Sequence, residues 1–512
     1  MASPSENLAG SLALLKELQD AGRIAIRASD LTRIHRERLA KNGFLAEVMK
    51  GWYVPTRPDQ PSGESTAWYA SFWGFCADYL NNRFETAWCL SPEQSLSLHA
   101  GDWTVPKQLL VRTPKGGNKP TALLHGTSVF DVRSELPPPD DIVTMNGLRI
   151  MKLPAALIAC APGEYAARPA ATRAALAMVP NASEVLRGLL AGGHSKVAGR
   201  LAGAFRNIGR TKIADDIVAS MRAAGYTIQE SDPFQDTPSI TFDSRATSPS
   251  VNRMRMMWAA MRGPVLENFP APPGLPRSKR DYLRDVDSLY VNDAYNSLSI
   301  EGYRVSTQLI ERVRSGNWNP DNDENDRGNR NALAARGYWQ AFQRVKESVE
   351  KVLNNENPGA VADDDHGAWY RELFGPSVTA GILNAADLAG YRNGPVFIRR
   401  SMHVPPSNEA VRDLMPAFFE LLRNEPEPAV NVVLGHFMFV YIHPYMDGNG
   451  RVGRFLMNVM MASGGYPWTI VPLDRRDAYM AALESASVRQ DIRPFARLLA
   501  ELLGRPKGST AT

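Results

Sequence analysis

The sequence predicts a multidomain protein, α+β in its first half and mainly α-helical in its second, where a small β-hairpin is also expected. Three observations predict it. At 512 residues the chain exceeds what one hydrophobic core serves, and the usual domain size implies roughly two to four units. Polar stretches rich in Pro, Ser and Asp at 57–64 (RPDQPSGE), 231–250 and 263–278 interrupt the apolar patterning and read as exposed joints. Two apolar runs, VVLGHFMFVYI and FLMNVMMASGG, flank the residues HPYMDGNGRVGR (443–454), so a charged, glycine-rich connection lies inside a helical core. The expected organisation is a winged helix-turn-helix over 1–60, an α+β domain over 61–240, a linker and connecting helix over 241–279, a helical domain over 280–504 and a disordered tail over 505–512.

Composition excludes several classes. Hydrophobic residues are 44% and charged residues 22% of the chain, as in ordinary globular proteins. A net charge of +4 says nothing about the whole molecule. The first residues lack a basic start followed by an apolar core, and no run nears the roughly 18 apolar residues of a spanning helix. A cytoplasmic protein without membrane contact is therefore expected. Cys76, Cys89 and Cys160 form no CxxC pair, which argues against disulfides and zinc and for buried, inert thiols.

In the first 58 residues, SLALLKELQDAG reads as a helix ended by Gly22. Two short helices are expected in RASDLTRIHRERLAKNGF, with Ser29 or Asp30 as cap, and then a hairpin turning at Lys50-Gly51. Helices followed by a hairpin outline a winged helix. From Arg23 to Arg57 there are eight Lys or Arg against three acids, an excess suited to phosphate contact through Arg33, Arg36, Arg38, Lys41 and Lys50. A dimerisation or spacer module with solvated charges is the alternative. The stretch LAKNGFLAEVMKGWYVPT resembles the N-terminal winged helix of AbiEi-type antitoxin regulators, and CLSPEQSLSLHAG, KQLLVRTP and GLRIMKLPAALIACAP extend that likeness loosely to residue 160. The resemblance implies operator DNA as a partner and a regulatory or antitoxin role. RTPKGGNKPT lacks phosphate-loop spacing, and Pro120 forbids the helix such a loop needs; a hairpin loop is expected there. Residues 165–225, rich in Ala and Leu, read as a helical bundle.

The chemistry concentrates at 443–454. PAVNVVLGHFMFVYI should form a buried helix opened by Pro428 and ended before Pro444, and RVGRFLMNVMMASGG a second helix ended at Gly464-Gly465. Free amides at a helix start bind anions, and glycines allow close approach, so Gly448, Asn449 and Gly450 suit a phosphate. Arg451 and Arg454, three apart on one helical face, suit further phosphates. Asp447 offers a carboxylate for Mg2+, which binds through one or two carboxylates plus substrate phosphates. His443 can act as a base near neutral pH. Alone, DGNG is an ordinary turn; the ordered set points to transfer from a magnesium nucleotide to a hydroxyl.

The same stretch resembles the signature of Fic domain proteins, HPFx[DE]GNGRxxR, with Tyr445 in place of Phe. The resemblance covers about 280–503 and implies a mainly α Fic fold in which His443 deprotonates the target, Asp447 holds magnesium and Asn449 with the Gly450 backbone cradles the α-phosphate. Arg451 and Arg454 would then grip the β- and γ-phosphates. The implied reaction is adenylylation of a protein Ser, Thr or Tyr by ATP. YRNGPVFIRRSMHVPP (391–406) resembles the family's flap, a hairpin whose edge docks the target by β-augmentation through Val396, Phe397, Ile398 and Met402. SLSIEG matches the family's inhibitory pattern [ST]xxxE[GN]. It implies that Glu301, between Ser297 and Gly302, occupies Arg454 and holds the enzyme off. Left open are another Fic nucleotidyl or phosphoryl transfer, AMP removal, and a DNA-binding regulator whose Fic core only senses nucleotide. A homodimer is among the assemblies the sequence allows. His436 is expected to be a packed core histidine, and DNDEND (321–326) a solvated acidic loop.

Overall fold

A computed structural model describes residues 3–58, 65–234, 248–316 and 330–504. The DNDEND loop, the 505–512 tail and most of the joints at 57–64 and 231–250 lie outside the described residues. The chain divides into two compact units, Met1–Met256 with Phe397–Val404, and Met257–Val396 with Pro405–Thr512.

Unit 1 opens with helix α1 (Pro4–Asp20), fixed by a capping box between Ser3 and Glu6. Strand β1 (Ile26–Arg27), helix α2 (Arg33–Lys41) and strands β2 (Leu45–Met49) and β3 (Trp52–Pro55) follow, the sheet running β1-β3-β2 antiparallel. Gly51, at φ 82°, makes the expected hairpin turn. Leu15, Ile26, Leu31, Leu39 and Leu45 form a small core between helices and sheet. Only one of the two short helices exists. Asp30 accepts the Arg27 backbone amide and guanidinium instead of capping, which holds 28–31 as turns, and Thr32 occupies the N-cap position of α2.

Helix α3 (Thr66–Phe84) then packs its aromatic face on a sheet of β4 (Cys89–Leu90), β5 (Gln108–Thr113), β6 (Pro120–Ala122) and β7 (Ser128–Arg133). The sheet order is β4-β5-β7-β6, with β5 and β7 parallel. RTPKGGNKPT is therefore a crossover and not a hairpin loop: β7 separates the two strands it joins. Gly116 lies so tightly against Val132 and Arg133 that a side chain there would collide with the backbone. A hairpin, β8 (Ile142–Met145) with β9 (Leu148–Met151), leads to the helical bundle expected from composition. Its helices are α4 (Pro92–His99), from before β5, and α5 (Leu153–Ala159), α6 (Pro162–Ala167), α7 (Pro169–Ala177), α8 (Ser183–Ala191), α9 (Ser195–Asn207) and α10 (Thr211–Ala223). All three cysteines are buried.

Helix α11 (Pro249–Asn268) runs through the unit boundary. The described helices of unit 2 are α12 (Lys279–Ile300), α13 (Thr307–Arg314), α14 (Arg330–Leu353), α15 (Pro358–Thr379), α16 (Asn408–Asn424), α17 (Pro428–Ile442), α18 (Asn449–Gly464), α19 (Arg476–Arg489) and α20 (Arg493–Leu503). Helix α17 is buried on nearly every side, as its uninterrupted apolar sequence requires. The 263–278 stretch is not a free connection. Pro264 lies inside α11, and the following residues seal the end of α18: Gly274 N–H donates to Gly464 O at 3.1 Å and Tyr466 Oη to Pro270 O at 2.6 Å. Gly465 ends α18 at φ 74°, and a Cβ there would overlap the Gly274 carbonyl. No helix among the described residues is long and apolar enough to cross a membrane.

Gly465→Ala combines left-handed strain with that overlap, each costing about 1–3 kcal/mol. Urea unfolding of the variant should show a lower midpoint for unit 2, with the unit 1 transition unmoved.

Candidate active site

The site is built where α17 ends and α18 begins. His443 terminates α17 in the left-handed conformation, φ 54° and ψ 60°, because Pro444 forbids helical geometry at the residue before it. Two Arg392 groups secure the turn: its Nε donates to His443 O at 2.8 Å and its backbone N–H to Pro444 O at 2.9 Å. The His443 Nδ1 lies 3.0 Å from Val440 O. A carbonyl can only accept, so Nδ1 carries the proton and Nε2 of the neutral ring has the free lone pair. Burial, followed by the nearby Arg392 charge, outweighs the raising influence of Val440, Glu301 and Asp447 and lowers the His443 pKa below its ordinary value. The ring is thus neutral, and able to accept a proton, at pH 7.

The loop after it is braced from within. Asn449 Oδ1 accepts Tyr445 N–H at 2.9 Å and its Nδ2 donates to Tyr445 O at 2.8 Å. The Asn449 side chain thus braces the loop through both its oxygen and its nitrogen. Tyr445 is 2% exposed and stacks on Tyr370, centroids 3.8 Å apart and planes 5° from parallel, so it keeps the aromatic plug the motif requires. Gly448 stands at φ 80°, where a side chain would run into the Phe374 ring.

The two arginines differ. Arg451 is 1% exposed and lies between the Tyr303 and Phe374 rings, 5.2 and 4.9 Å from their centroids, which holds a cation without consuming its N–H groups. Its Nε and Nη2 have no hydrogen-bond partner, and Asp447 Oδ2 approaches Nη2 only to 3.5 Å. Arg454 is tied along one edge: Nε donates to Ser297 Oγ at 2.8 Å, and Nη2 to Ser297 O at 3.1 Å and Glu301 Oε1 at 2.7 Å. Its Nη1 is buried without a partner. Burial raises the Glu301 pKa, but Arg454 and then Arg451 outweigh it, and the carboxyl is held below its ordinary value. A Cβ on Gly450 would collide with Glu301 Oε1, so the carboxylate lies directly over the first turn of α18. Gly302, at φ 87°, ends α12 just beyond it.

Asp447 is 59% exposed in its side chain. With Arg451, Arg392, Tyr303, Tyr370 and Phe374 it lines a cavity of about 990 Å³. No cluster of three or more His, Cys, Asp or Glu forms a metal cage among the described residues. A lone exposed carboxylate fits Mg2+, which keeps several waters and takes substrate phosphates; it does not fit a structural metal.

Other expected residues are placed differently. His436 is a core histidine, as expected, with Nε2 2.7 Å from Tyr479 Oη and its pKa pushed down to about 4 by burial. The 391–406 segment contains no strand, so the hairpin flap is absent. Pro395, Pro405 and Pro406 lack amides, Arg400 sits at φ 60°, and the Met402 carbonyl accepts the Val105 amide in unit 1. Val396 is half-buried, Phe397 is 37% exposed, and Ile398 and Met402 are half-buried. In the N-terminal region Arg33, Lys41 and Lys50 are exposed. Arg38 is committed to Asn7 O and Ser11 Oγ, and Arg36 donates to Ala28 O, so these two hold the fold. Sequence reasoning missed Arg392, the Tyr303 and Phe374 sandwich, and Asp293, buried beneath Arg454 with its pKa raised to about 6 by burial while accepting Tyr338 Oη at 2.7 Å. Of these, only Arg392 had a signal, its place within the expected flap segment.

Residues 367–461 match the family described as the Fic/DOC family. Curated relatives include a protein adenylyltransferase Fic from Nematostella vectensis, 41% identical over 129 residues, covering 24% of this chain and 30% of that protein. Another, from Drosophila willistoni, is 37% identical over 115 residues, 22% of each chain. The chain thus spans less than a third of the length of these relatives. A solved structure of residues 134–508 of Fic-1 from C. elegans is 20% identical, with TM-score 0.35, covering 63% of this chain and 88% of that one. Chemistry-bearing loop, flanking helices and family match coincide: residues 367–461 are a Fic domain.

Proposed function

We propose that the protein is a self-inhibited adenylyltransferase that moves AMP from Mg-ATP to a hydroxyl of a protein Ser, Thr or Tyr. One observation carries the reading: partnerless Arg451 and Arg454 donors and a proton-accepting imidazole flank the same helix start, over which Glu301 lies. His443 Nε2 takes the proton of the attacking hydroxyl as its oxygen bonds to the α-phosphorus and the bond to the β-phosphate breaks, releasing diphosphate. Open amides at the start of α18 and the Arg451 and Arg454 guanidiniums balance the phosphate charge. Magnesium, bound through Asp447, would supply charge neutralisation on the leaving diphosphate. Glu301 and a terminal phosphate cannot use Arg454 Nη2 together, so the enzyme rests off until Glu301 withdraws. The relatives' names support the reaction class, and a cytoplasmic setting is part of the proposal.

Glu301→Gly should raise incorporation of α-labelled ATP into protein at least tenfold, and His443→Ala in that background should cut it by roughly 10²–10⁴-fold, the range of general-base contributions. Label arriving only from γ-labelled ATP would instead establish phosphoryl transfer. Because the His443 pKa is lowered, activity should be full across neutral pH and fall only as pH drops below the ordinary histidine range, near 6.5. An acid limb at or above that value in a pH–rate profile contradicts the base assignment.

A second reading, compatible with the first, assigns DNA binding to the winged-helix-like N-terminal region. It is favoured by α2, which presents Arg33, Lys41 and a 67%-exposed Ile34 to solvent, the mix of phosphate and thymine-methyl contacts a recognition helix uses. Footprinting should find a protected site, and Arg33→Ala with Lys41→Ala should lower the salt slope of binding by about 2. Binding without sequence preference removes this reading.

A further inference from the structure

The end of α12 carries Glu301 and, two residues on, Tyr303. Its backbone is closed by two bonds, Gly302 N–H to Ser299 O at 3.0 Å and Tyr303 N–H to Leu298 O at 3.1 Å, the paired closure in which a left-handed Gly turns the chain. Neighbouring helices pin it on both sides of Glu301: Arg476 Nε of α19 donates to Ile300 O at 3.0 Å, and Asn331 Oδ1 of α14 accepts Arg304 N–H at 3.0 Å. Tyr303 is fixed with it. From this segment inward, cations and rings alternate: Arg330 Cζ lies 5.6 Å from the Tyr303 centroid, and Arg451 Cζ lies 5.2 Å from the same ring and 4.9 Å from that of Phe374. A ring face attracts a guanidinium without taking an N–H, and Arg451 Nε and Nη2 have no hydrogen-bond partner among the described residues.

We propose that Tyr303 is a positioning residue for nucleotide: fixed to the end of α12, its ring holds Arg451 in place with those two donors open for the terminal phosphates. The inference rests on the placement of the triphosphate in the transferase reading above. The inhibitory segment then serves both states, since Glu301 occupies Arg454 while Tyr303, two residues away, readies Arg451. A backbone pinned at Ile300 and Arg304 leaves Glu301 to withdraw by rotation of its side chain, so release of one arginine does not disturb the other. Unwinding this end of the helix would free Arg454 and misplace Arg451 together.

The test uses the full chain carrying Glu301→Gly, in which Arg454 is released, and titrates it with Mg-ATP and with AMP. Tyr303→Leu should weaken Mg-ATP about tenfold, the scale of a desolvated cation–π pair, and leave unmoved the affinity for AMP, which lacks the terminal phosphates. Tyr303→Phe should restore Mg-ATP binding. In an Arg451→Ala background Tyr303→Leu should cost nothing further, because the ring acts through that guanidinium. Ring-fluorinated forms of the Tyr303→Phe variant keep the size of the ring while draining negative charge from its face, so Mg-ATP affinity should fall with each added fluorine; this series decides the matter even if the Leu variant does not fold. A flat fluorine series, an unchanged Mg-ATP affinity in the Tyr303→Leu form, or an equal loss for AMP overturns the positioning role. Absence of α-label in protein from the Glu301→Gly form with Tyr303 intact, alongside the expected losses of Mg-ATP affinity, overturns the transferase reading and leaves Tyr303 as the residue that positions Arg451 for nucleotide.

Discussion

A guanidinium buried in the second turn of a buried helix constrains everything around it. Arg454 is 4% exposed, and a charge so placed without partners costs several kcal/mol. It therefore requires an anion beside it, and the described residues supply one, Glu301 at 2.7 Å. To deliver it, α12 must end within reach of α18, which Gly302 permits by taking a left-handed conformation, and Gly450 must have no side chain. Ser297, one turn earlier on α12, fills the Nε edge. The position of α12 is thus set by electrostatics at one atom group as much as by its apolar face.

The same requirement gives the proposed inhibition its logic. Triphosphate oxygens satisfy Arg454 as well as a carboxylate does, so Glu301 and nucleotide compete for one need. Neither state leaves the charge bare. Arg451 is handled differently: two aromatic rings accommodate its charge while its Nε and Nη2 remain without hydrogen-bond partners. One arginine is preorganised and the other occupied, which would make the proposed off state specific to one guanidinium.

How much of this was legible in the sequence follows from where each feature's partners lie. Helices α17 and α18 were readable because Pro428, Pro444 and Gly465 act on their own backbone, and the loop between them because its residues are contiguous. The Glu301 contact was readable only through a family pattern; its 153-residue separation from Arg454 leaves no local trace. The flap failed because the partner of the Met402 carbonyl, Val105, lies far earlier in the chain, and alternation of side chains cannot report that. The β5–β6 loop failed similarly: the strand between its ends, β7, comes later in the chain. Arg38 looked like a phosphate contact because composition registers charge and not the Asn7 and Ser11 acceptors that claim it.

His443 shows how local and distant demands meet. A helix end in the left-handed conformation favours Gly or Asn, and a histidine there carries strain on the order of 1 kcal/mol. The chain accepts it because the position must satisfy two conditions together: the helix has to stop, and the imidazole has to stay tied to its last turn. Turning left at His443 while Nδ1 holds Val440 O satisfies both, and it points the unprotonated nitrogen away from the helix that bears it. The Arg392 bonds to His443 and Pro444 carbonyls offset the strain. A more relaxed residue would keep the turn and lose the imidazole, so the strain at His443 accords with the proposed role of its ring as a base.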